Sequence, residues 1–267
     1  MRFGLVVALM LLGSAVALAQ GGRTALQIVD AMVGNENAAE LHRGRYLYVS
    51  EERSERTGGH LWRERVAETS VGKVRMLMAE DGQPLSSDRA AAEVAKLRDI
   101  AAHPDAFERR ELALKNDEKH AKQMLEMLPK AFEFSGLREE GGFWRIDFKP
   151  NAAYAPQSME ERVLHGMAGS LLVDEGPTRL HKIEGRLPAD VSIGFGLVAT
   201  IKAGSNFSTT RDRVRADEWK TAVLDTDING RAIFFKAIGR KQHAAHSDFT
   251  QLPDEITVGQ AVALLLK

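Results

Sequence analysis

Alternating apolar and polar positions mark the first third of the chain. From Tyr46 to Asp81 they alternate in three runs, which glycines at Gly58-Gly59 and Gly72 separate. A period of two is typical of half-buried strands, and strands joined by such short connections must be antiparallel neighbours. The pattern predicts an antiparallel meander of three strands.

Helical spacing replaces the alternation in two segments that flank this meander. Thr24 and Gln27 have the spacing of a capping box, which predicts a helix beginning near Thr24. From Ser86 to Lys130 apolar residues recur at helical spacing among many charges, with Pro104 as an interruption. We therefore expect a charged helical insertion at about residues 86–130.

Strand patterns return after the charged segment and continue to about residue 250. Ser158 begins a short predicted helix, and Asn229-Gly230 is the strongest short hairpin signal in the chain. The apolar residues at 254–267 are too few to cross a bilayer and predict a docked helix. Runs of antiparallel strands with segregated helices predict the α+β class.

The segment VSIGFGLVATIKAGSNF, residues 191–207, is the least polar run after the N-terminus. As a single strand it would place Ile193, Phe195 and Leu197 on a bulky face and two glycines on the other. A phosphate-binding loop would instead open a helix, and no helical pattern follows. Glycines within a strand mark bends or bulges, so the segment predicts a strongly curved sheet.

Residues 1–19 have the features of a signal peptide. Arg2 precedes an apolar centre, and Ala17-Leu18-Ala19 has the small residues of a cleavage site. The alternative is a retained membrane anchor, but the apolar centre is shorter than the ~20 residues of a membrane span. We expect cleavage after Ala19 and a single exported domain over residues 20–267.

Composition narrows the classes of function. The chain has 36 Lys and Arg against 37 Asp and Glu, so it offers no global field for nucleic acid or an anionic membrane. It contains no cysteine, which excludes disulfides, cysteine-bound zinc and an acylated cysteine anchor. These features predict a periplasmic protein without a nucleic-acid partner and without stable membrane insertion.

The sequence predicts neither a catalytic nor a metal site. It has no Gly-x-Ser-x-Gly motif and no cysteine nucleophile. His243 and His246 are three residues apart, an offset that points side chains to opposite faces of a strand, so a shared metal ion is disfavoured. We predict a non-enzymatic protein with no cofactor.

Several segments resemble the LolA/LolB-type periplasmic lipoprotein carriers, together with exported proteins described as lipoprotein-sorting-like and the sensor domain of RseB-type regulators. The resemblance is carried by GRYLYVSEERSE, AEDGQPLS, LPKAFEFSGL, GSLLVDEGPTRLHKIEGRL, VSIGFGLVATIKAGSNF and HSDF. It implies a strongly curved antiparallel sheet, an incomplete β-barrel, whose concave side is covered by helices and receives acyl chains. The long charged insertion departs from the carriers.

We therefore expect a periplasmic carrier whose ligand is a lipid or an acylated protein. The alternative is an interaction or stress-sensing module of the envelope, with a packed interior and charged helices that dock a partner protein. For each apolar residue, ordinary core packing is the competing interpretation. The residues expected to line a cavity are Val74, Met76, Met78, Leu97, Met124, Leu128, Trp144, Ile146, Phe148, Ile193, Phe195 and Leu197.

Overall fold

A computed structural model describes residues 22–193, 199–232 and 236–267, without the side chains of 113–121, 232 and 236–238. These residues confirm the α+β class. The helices are α1 Ala25–Glu40, α2 Ser87–Ala102, α3 Pro104–Ala131, α4 Met159–His165 and α5 Val258–Leu265. The strands are β1 Arg45–Arg53, β2 Trp62–Glu68, β3 Lys73–Glu80, β4 Gln83–Pro84, β5 Phe132–Glu140, β6 Phe143–Pro150, β7 Ala168–Asp174, β8 Leu180–Arg186, β9 Val191–Ile193, β10 Ala199–Ile201, β11 Asn206–Arg215, β12 Glu218–Ala232 and β13 Lys236–Leu252.

The thirteen strands among the described residues form one antiparallel sheet. Its order is β4-β3-β2-β1-β13-β12-β11-β8-β7-β6-β5, and the β9–β10 hairpin joins it where β10 pairs with β12. The path has two ends, so the sheet is not closed into a barrel. Because β13 pairs with β1, the last strand connects the predicted N-terminal meander to the rest of the sheet.

The residues at the helix ends form the caps that the sequence predicts. Thr24 Oγ1 accepts a hydrogen bond from the Gln27 backbone N–H, and the Gln27 side chain accepts one from the Thr24 N–H. The charged insertion forms α2 and α3, with Ser86 capping the first helix and Pro104 at the start of the second. Proline fits there because the first turn of a helix leaves its N–H groups unbonded.

The hairpin predicted at Asn229-Gly230 is wrong. Both residues lie inside β12, where Asn229 pairs with Gly239 and Gly230 pairs with Ile238 of β13. Gly230 also pairs with Ile201 of β10 on the other side. Neighbours on both sides hold this backbone extended, so long-range pairing overrides a turn preference that is only local.

The segment predicted as one strand from residue 191 is also interrupted. Val191–Ile193 and Ala199–Ile201 form β9 and β10, which pair with each other in an antiparallel hairpin. Phe195 and Leu197 lie outside the described residues. The single-strand prediction was wrong because periodicity alone does not distinguish a long strand from two short ones that pair.

Helices pack on both faces of the sheet, whereas the resemblance implied one covered side. α1 and the end of α3 cover what we call the α1 cluster, and α2 and α5 cover the α5 cluster. The α1 cluster consists of Ile28, Val29, Met32, Val33, Met127, Leu128, Ala131, Phe132, Ile146, Phe148, Leu171, Val173 and Leu180. The α5 cluster consists of Ala67, Val74, Leu97, Ile100, Phe107, Leu252, Ile256, Val258, Ala261, Val262 and Leu265.

Strand register assigns the two clusters to opposite faces. A row of cross-strand partners starts at Ile146 and runs through Leu171, Ile183, Thr209, Leu224 and Ala244 to Glu52. Tyr46 and Tyr48 share the face of Glu52, because side chains alternate along β1. Leu47 points the other way, and its partner Ala67 in turn pairs with Val74.

Close backbone approach fixes one position between β7 and β8. Gly169 pairs with Gly185, and a Cβ atom at Gly169 would lie 1.8 Å from the carbonyl oxygen of Glu184. No side chain fits at that distance, so the contact between β7 and β8 requires glycine.

Candidate functional site

Five of the residues predicted to line a cavity come together on one face. Leu128, Ile146 and Phe148 belong to the α1 cluster, and Met124 and Trp144 pack against it. Ile146 and Phe148 are almost completely buried. This group lies between α1, α3 and the strands β6 and β7.

The other described residues from that prediction lie elsewhere. Val74 and Leu97 belong to the α5 cluster on the opposite face, with Met76 packed against it. Ile193 belongs to a third cluster, the β9–β10 cluster of Met167, Leu187, Ile193, Ala199 and Ile201. Met78 is 42% exposed. The described part of the predicted set therefore does not enclose a single space.

A cleft of about 940 Å³ opens between the end of α1, the start of β1, α3 and the turn from β11 to β12. None of the predicted residues that the structure describes lines it. Seven Lys or Arg side chains and five Asp or Glu side chains line the cleft. Its volume lies within the ~300–1,000 Å³ of small-molecule sites, and we treat it as the candidate site.

Glu36, in the last turns of α1, joins the helix to the sheet beside this cleft. Its Oε1 accepts hydrogen bonds from Arg179 Nε at 2.8 Å and the Leu180 backbone N–H at 3.0 Å. Its Oε2 accepts from Arg179 Nη2 at 3.0 Å and Arg211 Nη1 at 2.5 Å. Burial alone would raise the pKa of Glu36, but the Arg179 bonds and the Arg211 charge hold it below its ordinary value.

A second buried network surrounds Lys220. Its Nζ donates to the Gly44 carbonyl at 3.1 Å and to Glu68 Oε2 at 3.0 Å, and lies 3.5 Å from Glu218 Oε1. Glu218 also accepts from the Gly44 N–H at 3.0 Å and the Tyr46 hydroxyl at 2.7 Å. Burial first, and then the bond to Glu218, raise the pKa of Tyr46, so the phenol stays a donor.

Trp219 packs against the arginines of the Glu36 network. The Arg179 guanidinium lies 4.9 Å from the Trp219 ring centroid, and that of Arg213 lies 5.1 Å away. The Trp219 carbonyl accepts from Arg211 Nη2 at 3.1 Å. Cation–π contacts of this kind hold a ring in place, so the buried Trp219 forms a rigid part of the cleft wall.

Leu125 connects the cleft to the apolar interior. This α3 residue lines the cleft and also packs against the α1 cluster. Lys122, one helical turn earlier, lines the same cleft with its side chain 54% exposed. The charged opening and the largest apolar cluster therefore meet along one face of α3.

Sequence analysis missed this site because its residues are far apart in the chain. Glu36 and Arg179 are buried together although 143 positions separate them, and no local pattern pairs the two residues. One signal was present: Glu36 continues the apolar stripe of Val29, Met32 and Val33 at helical spacing. A carboxylate on the buried face of a helix requires a partner from elsewhere in the chain.

A further ionic group lies on β1 and β2. Arg56 Nη2 is 2.6 Å from Glu52 Oε2 and 2.6 Å from Glu64 Oε2. Arg75 Nη1 is 3.5 Å from the same oxygen of Glu64. Glu52 and Glu64 are buried, so these guanidinium groups compensate two carboxylates taken out of water.

The histidines at the end of the chain have separate partners. His243 Nδ1 lies 2.7 Å from Asp225 Oδ1, and His246 Nδ1 lies 2.9 Å from the Thr221 carbonyl. Within residues 22–193, 199–232 and 236–267, no group of three or more acidic, histidine or cysteine side chains has the geometry to hold a metal ion.

Comparisons of the chain with models of protein families, curated proteins and solved structures give no match. The resemblance to lipoprotein carriers therefore stays a prediction. None of the helices in the described part of the chain is both long enough and apolar enough to cross a membrane.

Proposed function

We propose that the protein is a non-enzymatic carrier or binding protein for an amphiphilic molecule with an acyl or similar apolar chain. The apolar chain lies against the α1 cluster, between α3 and a sheet that curves around it. The observation that carries the proposal is Leu125, which belongs both to the cleft and to the margin of that cluster.

The α3 side of the cluster is suited to reversible opening. Met124 and Leu125 are only partly buried, whereas Leu128 below them is almost fully buried. Methionine adopts many shapes at low cost, and neither of these two side chains carries a charge. Each CH₂ group that takes their place contributes about 0.8 kcal/mol.

Chain-length dependence tests this proposal. Calorimetric titration with alkyl amphiphiles of 8, 10 and 12 carbons should show affinity rising about fourfold per CH₂ group. Leu125→Asn should weaken binding of the longest chain about tenfold. Leu112→Asn is the matched control, because Leu112 lies on the same helix and is 50% exposed.

Two results would contradict the proposal. One is affinity independent of chain length, and the other is equal loss of binding in both leucine variants. Thermal unfolding of each variant verifies that the fold persists. Native mass spectrometry after mild purification adds an independent observation, since a carrier should retain lipid at a stoichiometry near one.

We also propose export to the periplasm with cleavage after Ala19. The proposal is supported by the charged start, apolar centre and small residues within 1–19. N-terminal sequencing of the protein recovered from a periplasmic fraction should begin at Gln20. Recovery of the intact N-terminus from that fraction would contradict the cleavage site.

The second candidate function is docking of an envelope protein on the charged segment of α2 and α3. It is supported by Leu112, a large apolar side chain left half exposed on α3. In that case Leu112→Asn would abolish binding of a defined partner, and Leu125→Asn would not. The two leucine variants therefore distinguish docking on the helix from burial beside it.

A further inference from the structure

The cleft has a charge balance opposite to that of the whole chain. Seven basic side chains against five carboxylates give its lining an excess of two positive charges, whereas the chain has a net charge of −1. A concave site with an excess of one sign of charge attracts ligands of the other sign. The lining therefore favours an anion.

Carboxylates at the floor of the cleft are already satisfied. Glu36 accepts four hydrogen bonds, three of them from guanidinium groups. Glu218 accepts from a backbone N–H and a phenol and lies next to Lys220. Because these carboxylates are tied to donors of the protein, neither is arranged to receive a cation from solvent.

Cations at the rim are more accessible. Lys122 is 54% exposed, and its Nζ lies 3.8 Å from the carboxylate of Glu126. Arg215 is exposed at the end of β11 and also lines the cleft. Long side chains of this kind can close over a phosphate or carboxylate group, and guanidinium does so with two parallel hydrogen bonds.

We propose that the cleft recognises the anionic head group of the amphiphile, a phosphate or a carboxylate, through Lys122 and Arg215. The inference rests on the proposed function, because Leu125 lines the same cleft as these two cations. Trp219 and the ion networks form the buried wall of the cleft, whereas the side chains of Lys122 and Arg215 are exposed to solvent. Recognition of the head-group charge then adds to the affinity that burial of the apolar chain of the ligand provides.

Matched amphiphiles test the inference by calorimetry. Dodecyl phosphate and dodecyltrimethylammonium have the same chain and opposite charge. At 50 mM salt we expect dodecyl phosphate to bind at least tenfold more tightly, and the ratio should fall at 500 mM salt as screening increases. Inorganic phosphate alone should compete only at far higher concentration, since it lacks the chain.

Charge reversal provides the variants. Lys122→Glu combined with Arg215→Glu should remove the preference for dodecyl phosphate. Arg138→Glu combined with Lys149→Glu makes the same change in net charge on β5 and β6, where both side chains are exposed, and should keep the preference. Equal loss in both double variants would overturn the inference, because it would show an effect of net charge alone.

The outcomes separate this inference from the proposed function. If both amphiphiles bind with equal affinity, head-group recognition is wrong and the carrier proposal stands. If neither binds, both are wrong. If inorganic phosphate competes as well as dodecyl phosphate, the anion site stands and the carrier proposal is wrong.

Discussion

One face of the sheet has two different halves. Across β6, β7 and β8 this face is apolar, and α1 covers it with residues such as Ile28 and Met32. Across β1 and β2 the same face has Tyr46, Ser50 and Glu52, all buried. The residues buried on this one face are therefore apolar in one half and largely polar or charged in the other.

The positions of the helices explain this difference. Over β1 and β2, the helices α2 and α5 pack on the opposite face of the sheet. Neither of these two helices therefore covers the face on which Glu52 lies. Long side chains such as Arg56 cover it instead and bring their own charge. Of the two halves of this face, the α1 half is the one that offers an acyl chain an apolar surface without charges to desolvate, which favours that half for the proposed ligand.

The largest expected effect is at Glu36, where the two kinds of interior meet. Glu36→Ala leaves Arg179 and Arg211 without their carboxylate and should lower the free energy of unfolding by about 3–5 kcal/mol. Urea denaturation measures the change. Glu133→Ala is the control, since its pair with Lys149 is exposed and should change stability by less than about 0.5 kcal/mol.

Equal losses of stability in the Glu36 and Glu133 variants would contradict the stabilising role assigned to the Glu36 network. They would show that the Glu36 network contributes no more than a surface ion pair. In that case α1 would be held mainly by its apolar contacts and by the bonds of Asn35 to the Pro177 and Thr178 carbonyls.

Removing apolar volume from the α1 half comes next. Leu171 is completely buried in the α1 cluster, and Leu171→Ala should cost about 3 kcal/mol because it leaves a cavity. The exposed Leu41 is the control, with an expected change within about 0.5 kcal/mol. If the new cavity admits a longer alkyl chain, affinity in the same titration rises while stability falls, which would directly link this half to ligand.

Acid should act on the ionic half through His246. Burial lowers the pKa of His246, the charges of Arg75 and Lys73 lower it further, and the Thr221 carbonyl and Glu52 oppose them. The unfolded chain then binds a proton more readily than the native protein, so stability is lost as pH falls below about 6.5. This one group contributes at most about 1.4 kcal/mol per pH unit.

Unfolding measured at pH 7.5, 6.5 and 5.5 tests this slope. His246→Gln should flatten it, because glutamine does not titrate in this range. An unchanged slope in that variant would assign the acid sensitivity to other groups. The carboxylate of Glu52, whose pKa is lowered because bonds from Arg56 and Ser54 outweigh its burial, contributes only at lower pH.

Local features were predictable from the sequence because they depend on neighbouring residues. The capping box at Thr24 and the break at Pro104 each need only a few positions, and both occur as expected. Long-range pairing was not predictable in this way. It places Asn229-Gly230 inside a strand, and it brings Arg211 to Glu36 across 175 positions. The candidate site consists almost wholly of contacts of this second kind.

The last comparison takes one glycine from each half. Gly34 lies within α1, and Gly59 follows β1 with a φ of +83°; a Cβ atom at either would meet nothing within 4 Å. Gly34→Ala should stabilise the protein by about 0.5–1 kcal/mol, because alanine favours the helix. Gly59→Ala should destabilise it by about 1–2 kcal/mol, since a side chain disfavours positive φ. Neither substitution creates a steric contact, so backbone conformation is the expected cause of any change in stability. Thermal unfolding should therefore show changes of opposite sign for the two variants. Changes of the same sign would contradict this explanation.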